Sequence, residues 1–269
     1  MAYLFFAEGA DLDATGDAAV YPHENFLGID PIFMKLYAKY FYHPKSDTLA
    51  SRFIQLGRRA DFKFLQVGGN DGFANDPMFR MIKRFGWKGI IVEPQKEVFQ
   101  NRLSKTYRLE KNVILENCAI AAETGTKDLY KLSVSNSRWA TGLATFNKEV
   151  MLDRIKNNDR IKKRALAEGA ILPEKKEDYI AIEKVTCYSI QDLMKKHGWN
   201  ELNLLQIDTE GFDFEVIKTI NFESFRPKMI SFEHHLLSKE DFSACISLLV
   251  KQGYQIEHFG GDTLAILID

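Results

Sequence analysis

Short apolar runs alternate with amphipathic stretches from about residue 62 to the end of the chain. The apolar runs predict strands at residues 64–67, 89–92, 113–120, 184–188, 202–207 and 228–233. The amphipathic stretches predict helices at residues 77–85, 96–107, 190–197, 214–219 and 239–252. Two final apolar runs, 254–259 and 263–268, flank Gly260-Gly261-Asp262 and predict an antiparallel hairpin. This alternation indicates βαβ units and a mainly parallel sheet.

Two segments depart from the alternation. Residues 1–28 are rich in Gly, Asp and Ala and predict a loosely structured arm. Helices are predicted after it at 31–42 and 48–59, the second with Asp47 as N-cap. From about 133 to 183 the strand pattern stops, and helix formers with clustered basic residues predict either a solvated helix or a lid over a binding site. We therefore expect an N-terminal arm and helical extension over 1–61, and one main domain over 62–269 that carries the insertion.

Charge and cysteine usage narrow the function classes. The 269 residues include 36 basic and 37 acidic side chains, so no global field favours nucleic acid or an anionic membrane. Cys118, Cys187 and Cys245 are widely separated and show no metal-ligand spacing, which indicates free thiols in a reducing compartment. We expect a cytoplasmic protein with neither a nucleic-acid nor a membrane partner, and the sequence leaves homo-oligomerisation open.

A glycine-rich turn follows the first predicted strand of the main domain. Its residues, Gly68, Gly69, Asn70, Asp71 and Gly72, would let the backbone approach a small ligand. The next predicted strand ends at a carboxylate, Glu93, a little over twenty residues after the first glycine. That spacing suits an acid that binds a ribose diol. The turn lacks the G-x-G-x-x-G spacing of a dinucleotide fold, which disfavours an NAD-dependent oxidoreductase.

Four motifs in order support a family resemblance. They are the glycine-rich turn, Trp87-Lys88-Gly89 leading to Val92-Glu93-Pro94, Asn117-Cys118-Ala119-Ile120, and Leu205-Gln206-Ile207-Asp208-Thr209-Glu210-Gly211. Over about residues 62–268 the chain resembles the FkbM-type S-adenosylmethionine-dependent methyltransferases. The resemblance implies a class I, Rossmann-like α/β fold, with a mainly parallel seven-stranded sheet, an antiparallel terminal hairpin and helices on both faces. It also implies methyl transfer to a hydroxyl, often of a sugar or polyketide, and hence a small-molecule or glycan acceptor.

The resemblance also assigns cofactor-binding residues. The amides of residues 68–72 would hold the carboxylate of the cofactor's methionine end. Glu93, followed by Pro94, would accept two ribose hydroxyls, and Asn117, Cys118 and Ala119 would adjoin the adenine. Gln66 stands where many relatives carry an acid. It could bind the methionine end by hydrogen bonds, while Asp71 or Asp208 supplies the charge for the ammonium.

The strand ends of the second half carry the candidate chemistry. Asp208 and Glu210 follow the strongest strand, where open α/β sheets bind ligands, and Glu210 could instead cap the next helix. His234 and then His235 are the predicted general bases. A divalent metal held by Asp208, Glu210 and a histidine stays an open alternative, but no tight ligand spacing supports it and no metal site is predicted. The segment 137–145 could fold over the cofactor or contact the acceptor, and Trp139 would suit stacking against a sugar face. The alternatives to an O-methyltransferase are the oxidoreductase and a non-catalytic binding module.

Overall fold

The computed structural model describes residues 44–58, 61–73, 76–157 and 159–268. The arm predicted at 1–28 and the helix predicted at 31–42 lie outside these residues. The strands are β1 (Lys63–Val67), β2 (Lys88–Val92), β3 (Val113–Glu116), β4 (Ala119–Ile120), β5 (Gly125–Leu132), β6 (Ile180–Tyr188), β7 (Leu204–Ile207), β8 (Met229–Glu233), β9 (Tyr254–Phe259) and β10 (Asp262–Leu267). The helices are α1 (Leu49–Leu56), α2 (Pro77–Phe85), α3 (Lys96–Val98, the π-helical turn Phe99–Leu103 and Ser104–Thr106), α4 (Arg138–Thr141), α5 (Lys148–Asn157), α6 (Asp159–Ala167), α7 (Ile190–Lys196), α8 (Asp213–Lys218) and α9 (Lys239–Lys251).

Seven strands form the main sheet in the order β3-β2-β1-β7-β8-β10-β9. The first five of these pair in parallel, and β10 runs antiparallel to both β8 and β9. The expected mainly parallel seven-stranded sheet with a terminal hairpin is confirmed. Because β1 and β7 are adjacent but start separate halves of the chain, a crevice opens between their carboxyl ends.

Helices bury both faces of this sheet, as predicted. On one face Leu65, Ile207 and Phe232 pack against α7, α8 and α9. On the other face Phe64 and Leu204 pack against α1 and α2. Burial on both faces explains why these strands appear in the sequence as mainly apolar runs without the apolar-polar alternation of a half-exposed strand. It also leaves the carboxyl ends of the strands as the place where the sheet can receive a ligand.

Helix starts follow local capping chemistry. Asp76 caps α2 by accepting the Met78 amide at 2.8 Å, and Pro77 takes the first helical position. The predicted cap of α1 was wrong. Asp47 has φ +66°, whereas the N-cap is Thr48, in extended conformation, whose Oγ1 accepts the Ser51 amide at 3.2 Å. An N-cap needs that extended geometry to aim its side chain at the first turn.

A second sheet of three strands, β4-β6-β5, was not predicted. The apolar run 113–120 divides, because the Asn117 side chain donates to the carbonyls of Glu93 and Pro94 and the chain leaves the main sheet there. Strand β5 was missed, and β6, expected in the main sheet, pairs antiparallel with the whole length of β5 through residues 180–187. The helices of the insertion pack on this sheet through a small core, with members Leu132, Ala140, Met151, Ile155, Ile161 and Tyr179.

The division of the chain at residue 62 stays a prediction. In the described part, α1 packs its Phe53 ring against Trp87 beside the main sheet, with ring centroids 6.3 Å apart. None of the helices in that part is both long and apolar enough to span a bilayer.

Candidate active site

An open cleft lies at the carboxyl ends of β1, β2 and β7, with about 730 Å³ of empty space when its solvent-filled mouth is included. Six segments line it: the turn after β1, the end of β2, the small sheet, α4 with the loop that follows it, the residues that directly follow β7 (the exit of β7), and α8. Its lining residues are Val67, Gly68, Asn70, Val92, Glu93, Pro94, Gln95, Ala119, Ile120, Leu129, Arg138, Thr141, Gly142, Ala144, Thr145, Phe146, Asp208, Thr209, Glu210, Phe212 and Val216. The cleft thus brings together seven of the predicted residues, namely Gly68, Asn70, Glu93, Pro94, Ala119, Asp208 and Glu210.

The backbone amides of the glycine-rich turn are largely engaged within the protein. The amides of Gly68 and Gly69 donate to the Val92 carbonyl at 3.1 and 2.9 Å, and Gly72 donates to Gly69 at 2.7 Å. The Asn70 amide donates to Glu93 Oε2 at 2.9 Å. These bonds fasten the turn to the end of β2. Four of the five amides predicted to hold the cofactor's carboxylate therefore already have an acceptor.

Glu93 lies at the centre of this arrangement. Its Oε1 accepts the backbone amide of Gln95 at 2.9 Å and the Gln95 side-chain amide at 3.3 Å. Its Oε2 accepts the Asn70 amide, so that oxygen keeps one further lone pair for a ligand hydroxyl. Burial raises the pKa of Glu93 to about 7, against the lowering effect of these hydrogen bonds. A second ribose hydroxyl would replace the longer bond from Gln95.

Two polar residues predicted to bind the methionine end support the turn from outside the cleft. Gln66 is buried, and its Nε2 donates to Asp76 Oδ2 at 3.0 Å. Asp71 is also buried, with Oδ1 accepting the Phe73 amide at 2.8 Å and Oδ2 lying 3.1 Å from Arg138 Nε. Neither residue lines the cleft. Their direct contact with a cofactor stays a prediction.

The residues predicted to adjoin the adenine divide between core and cleft. Asn117 bonds the end of β2, as described above, and Cys118 is buried in the core, where burial raises its pKa to about 12. Ala119 lines the cleft together with Ile120, Phe146 and Phe212. The two phenylalanine rings lie 5.6 Å apart between centroids. This end of the cleft is apolar and suits a planar base.

The exit of β7 carries two carboxylates into the cleft. The residue Asp208 has a large exposed surface, which faces the cleft. Protein atoms nevertheless surround its carboxyl, and this burial, followed by the charge of Asp213, raises the pKa of Asp208 to about 6. Burial and the charge of Asp208 raise the pKa of Glu210 to about 7. Glu210 has φ +55°, a conformation that costs a non-glycine residue about 1–2 kcal/mol. Strain of this kind persists where the surrounding structure imposes it.

Arg154 of the insertion stabilises this strained backbone. Its Nη2 donates to the Glu210 carbonyl at 2.7 Å, and its Nη1 donates to the Leu143 carbonyl at 2.9 Å. From the other side, Asp213 accepts the Thr209 hydroxyl at 2.9 Å and the Glu233 amide at 3.1 Å. The β7 exit is therefore held between the insertion and the end of β8.

Both predicted histidines lie at the end of β8 and neither lines the cleft. His234 Nδ1 is 2.9 Å from the Thr263 hydroxyl, and its ring stacks on Phe242 with centroids 4.8 Å apart. Burial lowers the pKa of His234. His235 Nδ1 lies 3.3 Å from Glu233 Oε1. Across the described ranges, no group of three or more His, Cys, Asp or Glu side chains could hold a metal ion.

The profile of a known family matches this chain. The family is described as "Methyltransferase FkbM domain", and the match covers residues 66–256, from the end of β1 to β9. The chain belongs to the FkbM methyltransferase family. Membership identifies it as an S-adenosylmethionine-dependent methyltransferase, and the sheet described above is that of the class I fold.

Solved structures similar to this FkbM chain are distant. An FkbM methyltransferase from Methylobacillus flagellatus KT has 12% identity and a TM-score of 0.43, and the match covers 88% of this chain but only 50% of that one. A precorrin-6y C5,15-methyltransferase from Geobacter metallireducens GS-15 has 9% identity, a TM-score of 0.40 and coverage of 85% and 94%. An O-methyltransferase from Bacillus cereus, in complex with SAH, has 9% identity, a TM-score of 0.40 and coverage of 92% and 93%. No curated protein matches the sequence.

The cleft of this FkbM methyltransferase fits S-adenosylmethionine. Glu93 retains a lone pair for a ribose hydroxyl, and the apolar end beside Phe212 suits the adenine. Asn70 carries a buried Oδ1 with no hydrogen-bond partner in the described part of the chain, and this residue lines the same cleft. An unpaired buried acceptor at a cleft is well placed to bind a ligand ammonium.

Sequence reasoning missed several residues that line the cleft. Phe212 directly follows the motif that ends at Gly211, so its position could have been inferred. Arg138 lies in the segment 137–145, which the structure does place along the cleft. Trp139 from that segment does not line it. Its Nε1 donates to Glu168 at 2.6 Å and its ring lies under Arg164. Phe146 and Gln95 gave no signal in the sequence.

Replacing Arg154 with alanine should lower the free energy of unfolding by about 2 kcal/mol, because two carbonyls lose charge-assisted bonds and the Glu210 backbone loses its brace. Urea denaturation would measure the change. Lys156→Ala, an exposed change on the same helix, is the control and should stay within about 0.5 kcal/mol of wild type. Equal stability of the two variants would contradict the bracing role.

Proposed function

We propose that this FkbM methyltransferase transfers the methyl group to a hydroxyl of a carbohydrate or a similar metabolite, with Glu210 as the general base. The observation that carries the proposal is the pair of carboxylates at the β7 exit. Both line the cleft, and burial holds the pKa of Asp208 at about 6 and that of Glu210 at about 7. A base whose pKa lies near the working pH is suited to removing a hydroxyl proton during transfer.

Different residues along the cleft bind the cofactor, orient the substrates and accept the proton. S-adenosylmethionine supplies a methyl group on a sulfonium, which is electrophilic without metal assistance. Glu93 binds the ribose and fixes the position of the cofactor along the end of β2. Asp208 orients the acceptor or the cofactor, and Glu210 receives the hydroxyl proton. Rate enhancement then rests mainly on alignment, since methyl transfer is an in-line displacement.

The pH dependence of turnover tests the base. Glu210 must be ionised to accept a proton, so the wild-type rate should rise as the pH increases through about 7. Glu210→Gln should lose about 10²–10⁴-fold in kcat and also lose this acidic limb. Labelled S-adenosylmethionine with a panel of hydroxylated acceptors provides the assay, and Glu223→Gln, on an exposed residue away from the cleft, is the control.

The same assay decides between the candidates for the base. Loss of turnover in His234→Ala or His235→Ala, with Glu210→Gln active, would overturn the role of Glu210 and support the histidines predicted from sequence. Cofactor affinity without turnover on any acceptor would favour the non-catalytic module. The family match disfavours the oxidoreductase. The glycan acceptor, the absence of nucleic-acid and membrane partners, the cytoplasmic location and homo-oligomerisation stay predictions.

A further inference from the structure

The amino-acid end of the cofactor carries a carboxylate that needs hydrogen-bond donors. The nearest backbone donors in the glycine-rich turn are committed elsewhere, since Gly68 and Gly69 donate to Val92 and Asn70 donates to Glu93. Three lining residues, Glu93, Asp208 and Glu210, are acids and would repel an anion. A carboxylate in this cleft therefore needs donors beyond these three amides, and a cationic side chain would also offset the charge of the three acids.

Arg138 meets that requirement. Among the described residues that line the cleft, it alone has a cationic side chain. A guanidinium presents its donors as a planar fork that matches a carboxylate. The Arg138 side chain is 36% exposed, whereas its partner Asp71, whose Oδ2 lies 3.1 Å from Nε, is 2% exposed. Asp71 is thus a fixed anchor for one edge of a side chain that faces the cleft.

Helix α4 places Arg138 between the turn after β1 and the exit of β7. The helix is fixed to the end of β2 by a bond of 2.9 Å from Gln95 Nε2 to the Thr141 carbonyl. Gly142, which directly follows the helix, lies close to both segments. A methyl group in place of its hydrogen would be 3.1 Å from Glu210 Oε1 and 3.9 Å from Asn70 Nδ2. The charge of Arg138 also lowers the pKa values of Asp208 and Glu210 against the effect of burial, as its proximity requires.

We propose that Arg138 binds the carboxylate of the cofactor's amino-acid end and that Asp71 is the residue that positions its guanidinium. The inference rests on the cofactor of the proposed function and is independent of the acceptor and of the base. It assigns the first helix of the insertion a direct part in cofactor binding. It also gives Asp71 a role through Arg138 rather than through the ammonium.

Two ligands that differ in the amino-acid end test the proposal by calorimetry. S-adenosylhomocysteine carries the carboxylate, and 5′-methylthioadenosine has the same nucleoside without it. Arg138→Gln should weaken binding of S-adenosylhomocysteine by about 10- to 100-fold and change that of methylthioadenosine by less than about twofold. Arg138→Lys should give an intermediate loss, because an ammonium is a point charge. Asp71→Asn should reproduce part of the loss with the same selectivity.

Arg102→Gln is the matched control. Arg102 donates to the Asn136 carbonyl and so anchors the same segment, but it does not line the cleft. It should affect both ligands equally or not at all. Equal weakening of the binding of both ligands in Arg138→Gln, or no weakening of either, would overturn the proposal. If the glutamine variant does not fold, the same two ligands are compared in Arg138→Lys and Asp71→Asn. Wild-type protein that bound neither ligand would overturn the cofactor assignment itself.

Discussion

Replacing Gly68 with alanine should destabilise the protein by about 3 kcal/mol or more and abolish cofactor binding. Gly68 has φ +86°, which alone costs an alanine about 1 kcal/mol. A methyl group there would lie 1.9 Å from the Asp208 carbonyl oxygen. That oxygen is backbone and cannot rotate away, so the turn after β1 must separate from the exit of β7. Both segments line the cleft.

A second glycine separates the two contributions. Gly86 has φ +68°, and a methyl group there would meet nothing within 4 Å. Gly86→Ala should therefore cost only the conformational part, about 1 kcal/mol, and leave ligand affinity unchanged. Chemical denaturation gives the stabilities and calorimetry gives the affinities. Similar destabilisation by the two substitutions would show that the approach of Gly68 to the Asp208 carbonyl does not constrain the site.

The main sheet could be predicted because the burial of its strands is visible in the sequence as apolar residues. Phe64, Leu65 and Val67 are all buried, as are Leu204, Leu205 and Ile207, so each strand appears as a short apolar run that only one glutamine interrupts. The strands of the three-stranded sheet show no comparable apolar pattern in the sequence. In β5, Gly125, Thr126 and Lys127 are exposed, and its partner β6 lies more than forty residues further along the chain. A pairing of this range depends on tertiary structure, which local pattern does not encode.

The candidate site was also predictable only where its residues follow a local sequence pattern. Glycine content and spacing identified the turn at 68–72 and the acid at 93, because both express a local backbone requirement. The hydrogen-bond partners of the polar groups in the site are distant in the sequence, so they could not be predicted from it. The amides of Gly68 and Gly69 serve the Val92 carbonyl, and the Thr263 hydroxyl engages His234 from another strand. Asp71 pairs with Arg138 across 67 residues of sequence, so the charge partner of that acid could not be read from the turn.

Replacing Glu93 with alanine should weaken binding of 5′-methylthioadenosine by about 100-fold or more. A ribose hydroxyl that donates to an ionised, buried carboxylate contributes about 1.5–3 kcal/mol, and the substitution also frees the Asn70 and Gln95 amides that shape the site. Calorimetry measures the loss. Glu97→Ala, an exposed acid four residues further on, is the control and should leave the affinity unchanged.

The pH dependence of this binding follows from the buried state of Glu93. Burial raises the pKa of Glu93 to about 7 in the free protein, and hydroxyl donors favour the ionised form. Ligand binding should therefore release a proton below pH 7, and the affinity for methylthioadenosine should increase as the pH rises through about 7. The free protein behaves in the opposite way. A carboxyl with a raised pKa contributes stability in full below its unfolded pKa of about 4.3, and that contribution is lost as the pH rises through about 7.

These opposite trends make the prediction specific to one residue. Ligand should raise the unfolding midpoint more at pH 8 than at pH 6 in wild type, and this difference should vanish in Glu93→Ala. Methylthioadenosine lacks the ionisable amino-acid end, so the cofactor's own titration cannot produce the effect. If the affinity is independent of pH between 6 and 8, or if its pH dependence survives in Glu93→Ala, then the carboxylate does not bind the ribose in its ionised form. The nucleoside would then have to be held by the apolar end of the cleft and by residues other than Glu93.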